Sequence, residues 1–191
     1  VATSAAIRGI HNKDLKEITN PDVILANTYH LYLRPGQQVI ENAGGIHNFM
    51  SWNKSILTDS GGYQVYSLSA NRKIKEDGVK FKSHIDGSYH FFTPEIAIDI
   101  QRKIGADIIM AFDECTPYPC EYEYAKQSME ITLRWAMRCK QRHEILREER
   151  KHRPCQTLFG IVQGSIYPDL RIHCANELAS MDVMNTSVGR I

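Results

Sequence analysis

An α/β fold built around parallel strands is what this sequence predicts, and three observations carry the expectation. Four apolar runs end in polar residues: Val23-Ile-Leu-Ala-Asn27, Ile56-Leu-Thr-Asp59, Ile108-Ile-Met-Ala-Phe-Asp113 and Leu158-Phe-Gly-Ile-Val-Gln163. Such runs read as strands buried on both faces, delivering side chains to the rim where α/β folds keep their chemistry. Helical periodicities alternate with the runs, which implies right-handed crossovers between parallel strands. Glycine and proline fall between the periodic segments, with no repeat or low-complexity linker, so residues 1–191 read as a single domain.

In chain order, the strand at Val23 to Asn27 is followed by an Arg34-Pro-Gly36 turn and a short helix near Gln37 to Ala43, stopped by Gly44-Gly45. A strand from Ser55 to Thr58 leads into an excursion. There Val79, Phe81 and Ile85 keep a roughly alternating pattern and Asp86-Gly87 marks a hairpin, so a small antiparallel insert is expected. Thr93-Pro94 supplies a cap and a first-turn proline. Ile96, Ile100 and Ile104 recur at helical spacing and Gly105 stops a helix over 94–104. The strand Ile108 to Phe112 comes next. From Glu121 to Arg150 strong helix formers carry an apolar stripe of Met129, Leu133, Ala136 and Met137, as one helix or two. A last helix, Pro168 to Met181, turns Leu170, Cys174 and Leu178 inward, before a short fifth strand at Met184 to Val188. A closed eight-stranded barrel takes about 250 residues. The strand count therefore fits either an open doubly wound sheet or part of a barrel.

With 42% hydrophobic and 24% charged residues the chain is globular in class, not disordered. No run approaches a membrane span and the first residues lack the pattern of a secretory leader, so a cytoplasmic protein without a membrane partner is expected. Five cysteines, an odd number without a CxxC pair, support neither a disulfide framework nor a zinc ribbon, and read as reduced thiols. Eight histidines show no metal-like spacing, so no metal or other cofactor is expected in this chain. A formal net charge of +1 means that any nucleic-acid contact must come from a local patch. The basic residues from Arg134 to Arg153 are interleaved with glutamates at the end, and read as a solvated helix face.

The four strand ends bring Asn27, Asp59, Asp113 and Gln163 toward one face, a hydrogen-bonding set suited to a polar planar ligand. Asp59 is followed by Ser60-Gly61-Gly62, where the backbone can approach a ligand and present N–H groups. Its carboxylate can serve as general acid or base, although the same residues fit a tight turn in which Asp59 caps local amides. Asp113 and Glu114 adjoin on a strand end, so only one can face the site, and Asp113 is the choice. A carboxylate there accepts two parallel bonds from a guanine-like N–H and amino edge, or simply binds a neighbouring arginine. Gln163, followed by Gly164, complements it by donating to a carbonyl, and Tyr63 offers a flat face for stacking. Cys115, two residues after Asp113, is near enough to approach a ligand but reads first as a small buried hydrophobe.

Five segments closely resemble the queuine/archaeosine tRNA-guanine transglycosylase family in order and spacing: Leu25-Ala-Asn-Thr-Tyr-His-Leu31, Leu33-Arg-Pro-Gly36, Leu57-Thr-Asp-Ser-Gly-Gly-Tyr-Gln64, Phe112-Asp-Glu-Cys-Thr-Pro-Tyr-Pro119 and Phe159-Gly-Ile-Val-Gln-Gly164. The resemblance runs from Val1 to Met181. It implies an α/β fold of (β/α)8 TIM-barrel type, incomplete in this chain, as the N-terminal portion of the enzyme. It also implies exchange of guanine at the tRNA wobble position for a 7-deazaguanine base on the queuosine pathway, through a covalent tRNA–enzyme intermediate. Asp59 matches the family's proton-handling aspartate. Asp59, Ser60, Gly61, Gly62, Tyr63, Asp113, Gln163 and Gly164 match positions that hold the base, with Tyr63 as the stacking aromatic. The family's nucleophilic aspartate, its tRNA-contacting basic segments and its structural zinc site are expected beyond Ile191, and the start looks clipped. Arg190 stands where the family has a base-contacting glycine. The implied partners are tRNA and guanine or a 7-deazaguanine base, with a homodimer allowed for. An incomplete barrel would expose a strand edge and apolar surface, which predicts self-association. The alternative function is a non-catalytic base-binding or partner-subunit role in the same family. An unrelated α/β-barrel hydrolase is a weaker third reading.

Overall fold

The structure is a computed structural model that describes residues 1–68, 72–149 and 155–181, together with the backbone of 185–188. Its elements in chain order are α1 (Asn12–Asp14), a π-helical turn Leu15–Thr19, β1 (Val23–Ala26), α2 (Thr28–Leu33), α3 (Gln37–Asn42), α4 (Ile46–Met50), β2 (Ser55–Thr58) and α5 (Gly62–Leu68). Then come β3 (Lys73–Lys75), β4 (Gly78–Lys82), β5 (Tyr89–Phe92), α6 (Pro94–Ile104), β6 (Ile108–Met110), α7 (Tyr122–Glu149), β7 (Thr157–Val162), α8 (Pro168–Ser180) and β8 (Asn185–Val188).

Five strands form one parallel sheet in the order β1-β2-β6-β7-β8. Spatial order follows chain order with no reversal, so the sheet lacks the switch point of a doubly wound fold. The helices form a continuous row on one face, α3 against α6, α6 against α7 and α7 against α8. The strands are not buried on both faces as expected. Ile24, Ala26, Ile56, Thr58, Ile109, Leu158 and Gly160 are buried, whereas Leu25, Leu57, Ile108, Met110 and Phe159 on the opposite face are only half-buried. The reason is that the helices cover one face of the sheet only.

A separate three-stranded antiparallel sheet, β3-β4-β5, is the expected insert, with the hairpin turn at Gly87. It buries Val79, Phe81 and Phe92. α6 begins where its cap predicts: Thr93 Oγ1 accepts from Ile96 N at 3.2 Å, and Gly105 ends the helix with φ +81°. Ile96 itself is exposed, and the buried stripe runs through Ala97, Ile98, Ile100 and Ile104. α7 is one helix of 28 residues, and its fully buried anchor is Trp135, stacked on Phe112 at 5.2 Å. Leu170, Cys174 and Leu178 of α8 are buried as expected. Met184 and Arg190 lie outside the described residues.

Arg134, Arg138 and Arg142 form a seam rather than a solvated face. Spaced four apart on α7, they lie along one stripe of the helix. Arg134 makes a bidentate pair with Glu76 at 2.7 and 2.9 Å, Arg138 with Glu95 at 2.7 and 2.8 Å, and Arg142 with Asp99 at 2.7 and 3.2 Å. Trp135 Nε1 donates to Glu76 O at 2.7 Å, and Arg138 donates to the carbonyls of Glu76 and Asp77 at 3.1 and 3.3 Å. Long-range pairing thus ties α7 to α6 and to the β3–β4 turn.

Candidate active site at the C-terminal ends of the parallel strands

β2 and β6 pair only at Leu57 and Ile108, and then splay. The buried Gln101 side chain fills the gap. Its Oε1 accepts from Thr58 Oγ1 at 3.0 Å and Met110 N at 2.9 Å, while its Nε2 donates to Met110 O at 2.9 Å. Gln101 substitutes for the missing ladder between the two strands, and the chain segments that follow them carry Asp59 and Asp113. Sequence reading missed it, because a glutamine on an otherwise helical pattern carries no sign of what it faces.

Asp59 and Asp113 lie on either side of the Ser60-Gly61-Gly62 loop, which bonds to both. Asp59 is half-buried, and its carboxylate accepts from Thr28 N at 2.9 Å, from Gly61 N at 3.2 Å and from Asn27 Nδ2. Gln64 also bonds to it. Thr28 belongs to α2, a helix not foreseen in the sequence, which starts directly after β1 and aims the N–H of its first residue at Asp59. Burial raises the Asp59 pKa above the ordinary carboxylate range, outweighing these donors.

Asp113 is buried. Ser60 Oγ donates to its Oδ1 at 2.6 Å and Gln163 Nε2 to its Oδ2 at 2.7 Å. Ser60 Oγ in turn accepts from Gly62 N at 3.1 Å. Burial pushes the Asp113 carboxyl up to about 6, against the pull of Ser60 and Gln163 and with a further upward push from the Asp59 charge. Besides these two side-chain donors, the backbone N–H of Asp113 itself supports the carboxylate. Gly62 is required by contact: a Cβ there would lie 2.6 Å from Asp113 O and 2.8 Å from Asp113 Oδ1. Gly164 holds φ +120° against α8, where a Cβ would meet Arg171 N at 2.9 Å.

Adjacent carboxylates part company here. Glu114 is also buried but turns toward α7, where Tyr124 Oη donates to its Oε1 at 2.7 Å. Its backbone N–H donates to Thr132 Oγ1 at 3.1 Å. Tyr63, on the first turn of α5, is 40% exposed and so presents its ring outward. Cys115 is half-buried, and its carbonyl accepts both terminal nitrogens of Arg72 at 3.4 Å. The strand-end residues foreseen in the sequence, Asn27, Asp59, Asp113 and Gln163, are therefore joined in two bonded pairs, linked by the Ser60-Gly61-Gly62 loop. Two desolvated carboxylates fed by neutral donors hold a proton more readily than exposed ones and can accept hydrogen bonds from a polar planar ligand.

Comparison with known proteins bears on what this site belongs to. Residues 1–190 match the sequence profile of the family described as queuine tRNA-ribosyltransferase. This chain belongs to the queuine tRNA-ribosyltransferase family. It is 57% identical over 189 residues to the queuine tRNA-ribosyltransferase of Thermoanaerobacter sp. (strain X514), covering 99% of this chain and 48% of that protein. It is 56% identical to the protein of the same name from Caldanaerobacter subterraneus subsp. tengcongensis, and 54% to that of Ruminiclostridium cellulolyticum, each over 189 residues and 48% of the relative. The chain spans about half the length of the curated relatives it matches. Among the described residues of this queuine tRNA-ribosyltransferase family member, no three His, Cys, Asp or Glu side chains are grouped to hold a metal ion. No helix of the described residues is long and apolar enough to cross a membrane.

Proposed function

We propose that this chain forms the base-binding half of a tRNA-guanine transglycosylase, an enzyme that replaces guanine at the tRNA wobble position with a 7-deazaguanine base. The observation that carries the reading is the Ser60–Asp113–Gln163 constellation. A buried carboxylate held by neutral donors is an acceptor that suits the paired N–H and amino donors of a guanine edge. In this reading Gln163 and the backbone around Gly164 set the base's carbonyl side, and Tyr63 stacks on its face. Asp59 carries the proton that leaves or joins the base. Burial raises its pKa, which favours the protonated form more than in an ordinary carboxylate.

The chemistry proposed is a double displacement. A carboxylate supplied from the part of the family's length that this chain does not span attacks the ribose carbon. The carbon–nitrogen bond to guanine breaks, a covalent tRNA–enzyme intermediate forms, and the incoming base displaces the enzyme carboxylate. This division of one hard step into two parallels retaining glycosidases. The five parallel strands, wound without reversal, would then form one wall of a (β/α)8 barrel.

Exchange of radiolabelled guanine into tRNA tests the proposal, measured on a protein that joins this chain to the remainder of its relatives' length. Asp59→Asn is expected to abolish exchange while melting at the same temperature as the parent. Ordinary exchange by that variant would remove Asp59 from the mechanism. A protein that binds the base but never exchanges it would instead support the non-catalytic alternative.

A further inference from the structure

We propose that the outer face of the β3-β4-β5 sheet is an RNA-docking surface that holds the substrate's phosphate backbone beside the nucleotide being exchanged. The inference rests on the proposed function for the identity of the RNA, but on separate residues for its physical basis.

Register places six side chains on one face. Lys73 lies opposite Lys80, Lys80 opposite Phe91, and Lys82 opposite Tyr89, while Lys75 is two residues from Lys73. Lys73, Lys75, Lys80, Lys82, Tyr89 and Phe91 are all exposed, and Tyr89 is 66% exposed. The opposite face buries Val79, Phe81 and Phe92. The three strands contain no acidic residue. Carboxylates sit only in the turns, where Arg134 holds Glu76, and Ser88 N and Oγ donate to Asp86 Oδ1.

A chain with net charge +1 that concentrates four lysines on one sheet face has made a local cationic patch. Two exposed aromatics break that patch, and Lys80 Nζ lies 4.9 Å from the Tyr89 ring centroid. Lysines interleaved with rings on an antiparallel sheet suit a partner that carries both phosphates and unpaired bases, because ammonium groups pair with the backbone and rings stack on any base. A protein partner would not require every charge on the face to have one sign.

The sheet is also well placed. Phe92 on its inner face lies against Gly61, where a Cβ would meet Phe92 Cε2 at 3.6 Å, and against Phe112 at a ring separation of 6.0 Å. One layer of side chains therefore separates it from the Asp59–Gly62 loop. In this proposal, an RNA whose target nucleotide is held at Asp59 and Asp113 lays its flanking nucleotides across this neighbouring sheet.

The test is fluorescence anisotropy of a labelled tRNA anticodon stem-loop across a salt series, using the chain in its full-length context. Lys73→Ala/Lys80→Ala is expected to weaken binding about tenfold at low salt. It should also reduce the slope of log affinity against log salt by about 1.4, roughly 0.7 for each single-strand phosphate that is no longer neutralised. Tyr89→Ala is expected to weaken binding about tenfold with the slope unchanged. Lys13→Ala/Lys16→Ala, on another part of the surface, serves as the charge control. Unchanged affinity and slope in the sheet variants, or an equal loss in the control, would overturn the docking surface. Lysine-dependent binding to phosphatidylserine vesicles but not to RNA would overturn it as well. Calorimetry with free guanine keeps the two ideas apart: base binding that survives while the sheet variants bind RNA normally refutes the surface alone. Lysine-dependent RNA binding without any base binding refutes the proposed function alone.

Discussion

Two sets of carboxylates in this molecule meet opposite electrostatic fates. Along α7, Arg134 draws Glu76 below the ordinary carboxylate range through direct bonding. Glu95 is also lowered there, because its bonds to Arg138 and Thr93 overcome the upward push of burial. At the strand ends, Asp59 and Asp113 are raised, burial dominating in both. The difference is the kind of donor. Guanidinium groups neutralise the first set and commit it to holding α6, α7 and the insert together. Amides and a hydroxyl satisfy the second set without cancelling its charge, so these carboxylates keep the capacity to exchange a proton and to accept a ligand's N–H groups. A protein can therefore commit some carboxylates to architecture while keeping others available for chemistry, simply by choosing their neighbours.

The largest expected effect attacks the candidate site directly. Asp113→Ala should weaken guanine binding at least ~100-fold by calorimetry, since the base's donors and Gln163 would both lose their acceptor. Unchanged affinity would put the base elsewhere. Gln101→Leu should cost about 2 kcal/mol in urea unfolding, because the Met110 N–H and C=O and the Thr58 hydroxyl lose their partner. Intact stability would mean that the splayed strands re-pair without it.

The pH dependence sharpens the contrast. Asp113 titrates near 6 in the fold, so guanine affinity should fall about tenfold for each unit below that pH as protonation removes an acceptor. Stability follows the opposite course. A carboxyl whose pKa is raised by folding contributes stability that is fully present below the unfolded carboxylate range and lost as pH rises through about 6. Asp113→Asn should therefore gain stability relative to the parent as pH rises from about 4 to about 8, which thermal melts at the two values would show. A flat difference would mean that the carboxyl is not desolvated.

On the clamped side the effects are smaller. Arg138→Ala should cost about 1 kcal/mol, since its pair with Glu95 is about two-thirds shielded and it also caps two carbonyls. Arg134→Ala should cost under ~0.5 kcal/mol, because both members of its pair are about half exposed. Equal losses in the two variants would show that exposure does not rank these pairs.

Much of the fold was legible because it is locally encoded. Thr93, Pro94 and Gly105 bracket α6 through backbone chemistry that needs no tertiary partner, and Leu170, Cys174 and Leu178 mark the buried stripe of α8 by spacing alone. Ile96 shows the limit of spacing. It keeps the helical period but lies past the edge of the contact face, and Ile98 is buried instead. Helices α2, α4 and α5, of five to seven residues, are too short for periodicity to register; α3 is as short, but was marked by the Arg34-Pro-Gly36 turn before it and Gly44-Gly45 after it. Arg134, Arg138 and Arg142 read as solvated because their partners lie more than 40 residues away.

The sequence by itself determined that this chain alternates strands with helices and brings Asn27, Asp59, Asp113 and Gln163 to strand ends, since a run of apolar residues closed by a polar one has few other uses in an α/β fold. Which carboxylate turns inward could be argued from alternation, and Asp113 and Glu114 do part as that argument requires. Only the tertiary structure decided how those carboxylates titrate, that Gln101 bridges the two strands that lead to them, and that four lysines share one exposed sheet face. Desolvation, strand register and long-range pairing depend on residues brought together from distant parts of the chain, and no local pattern records them.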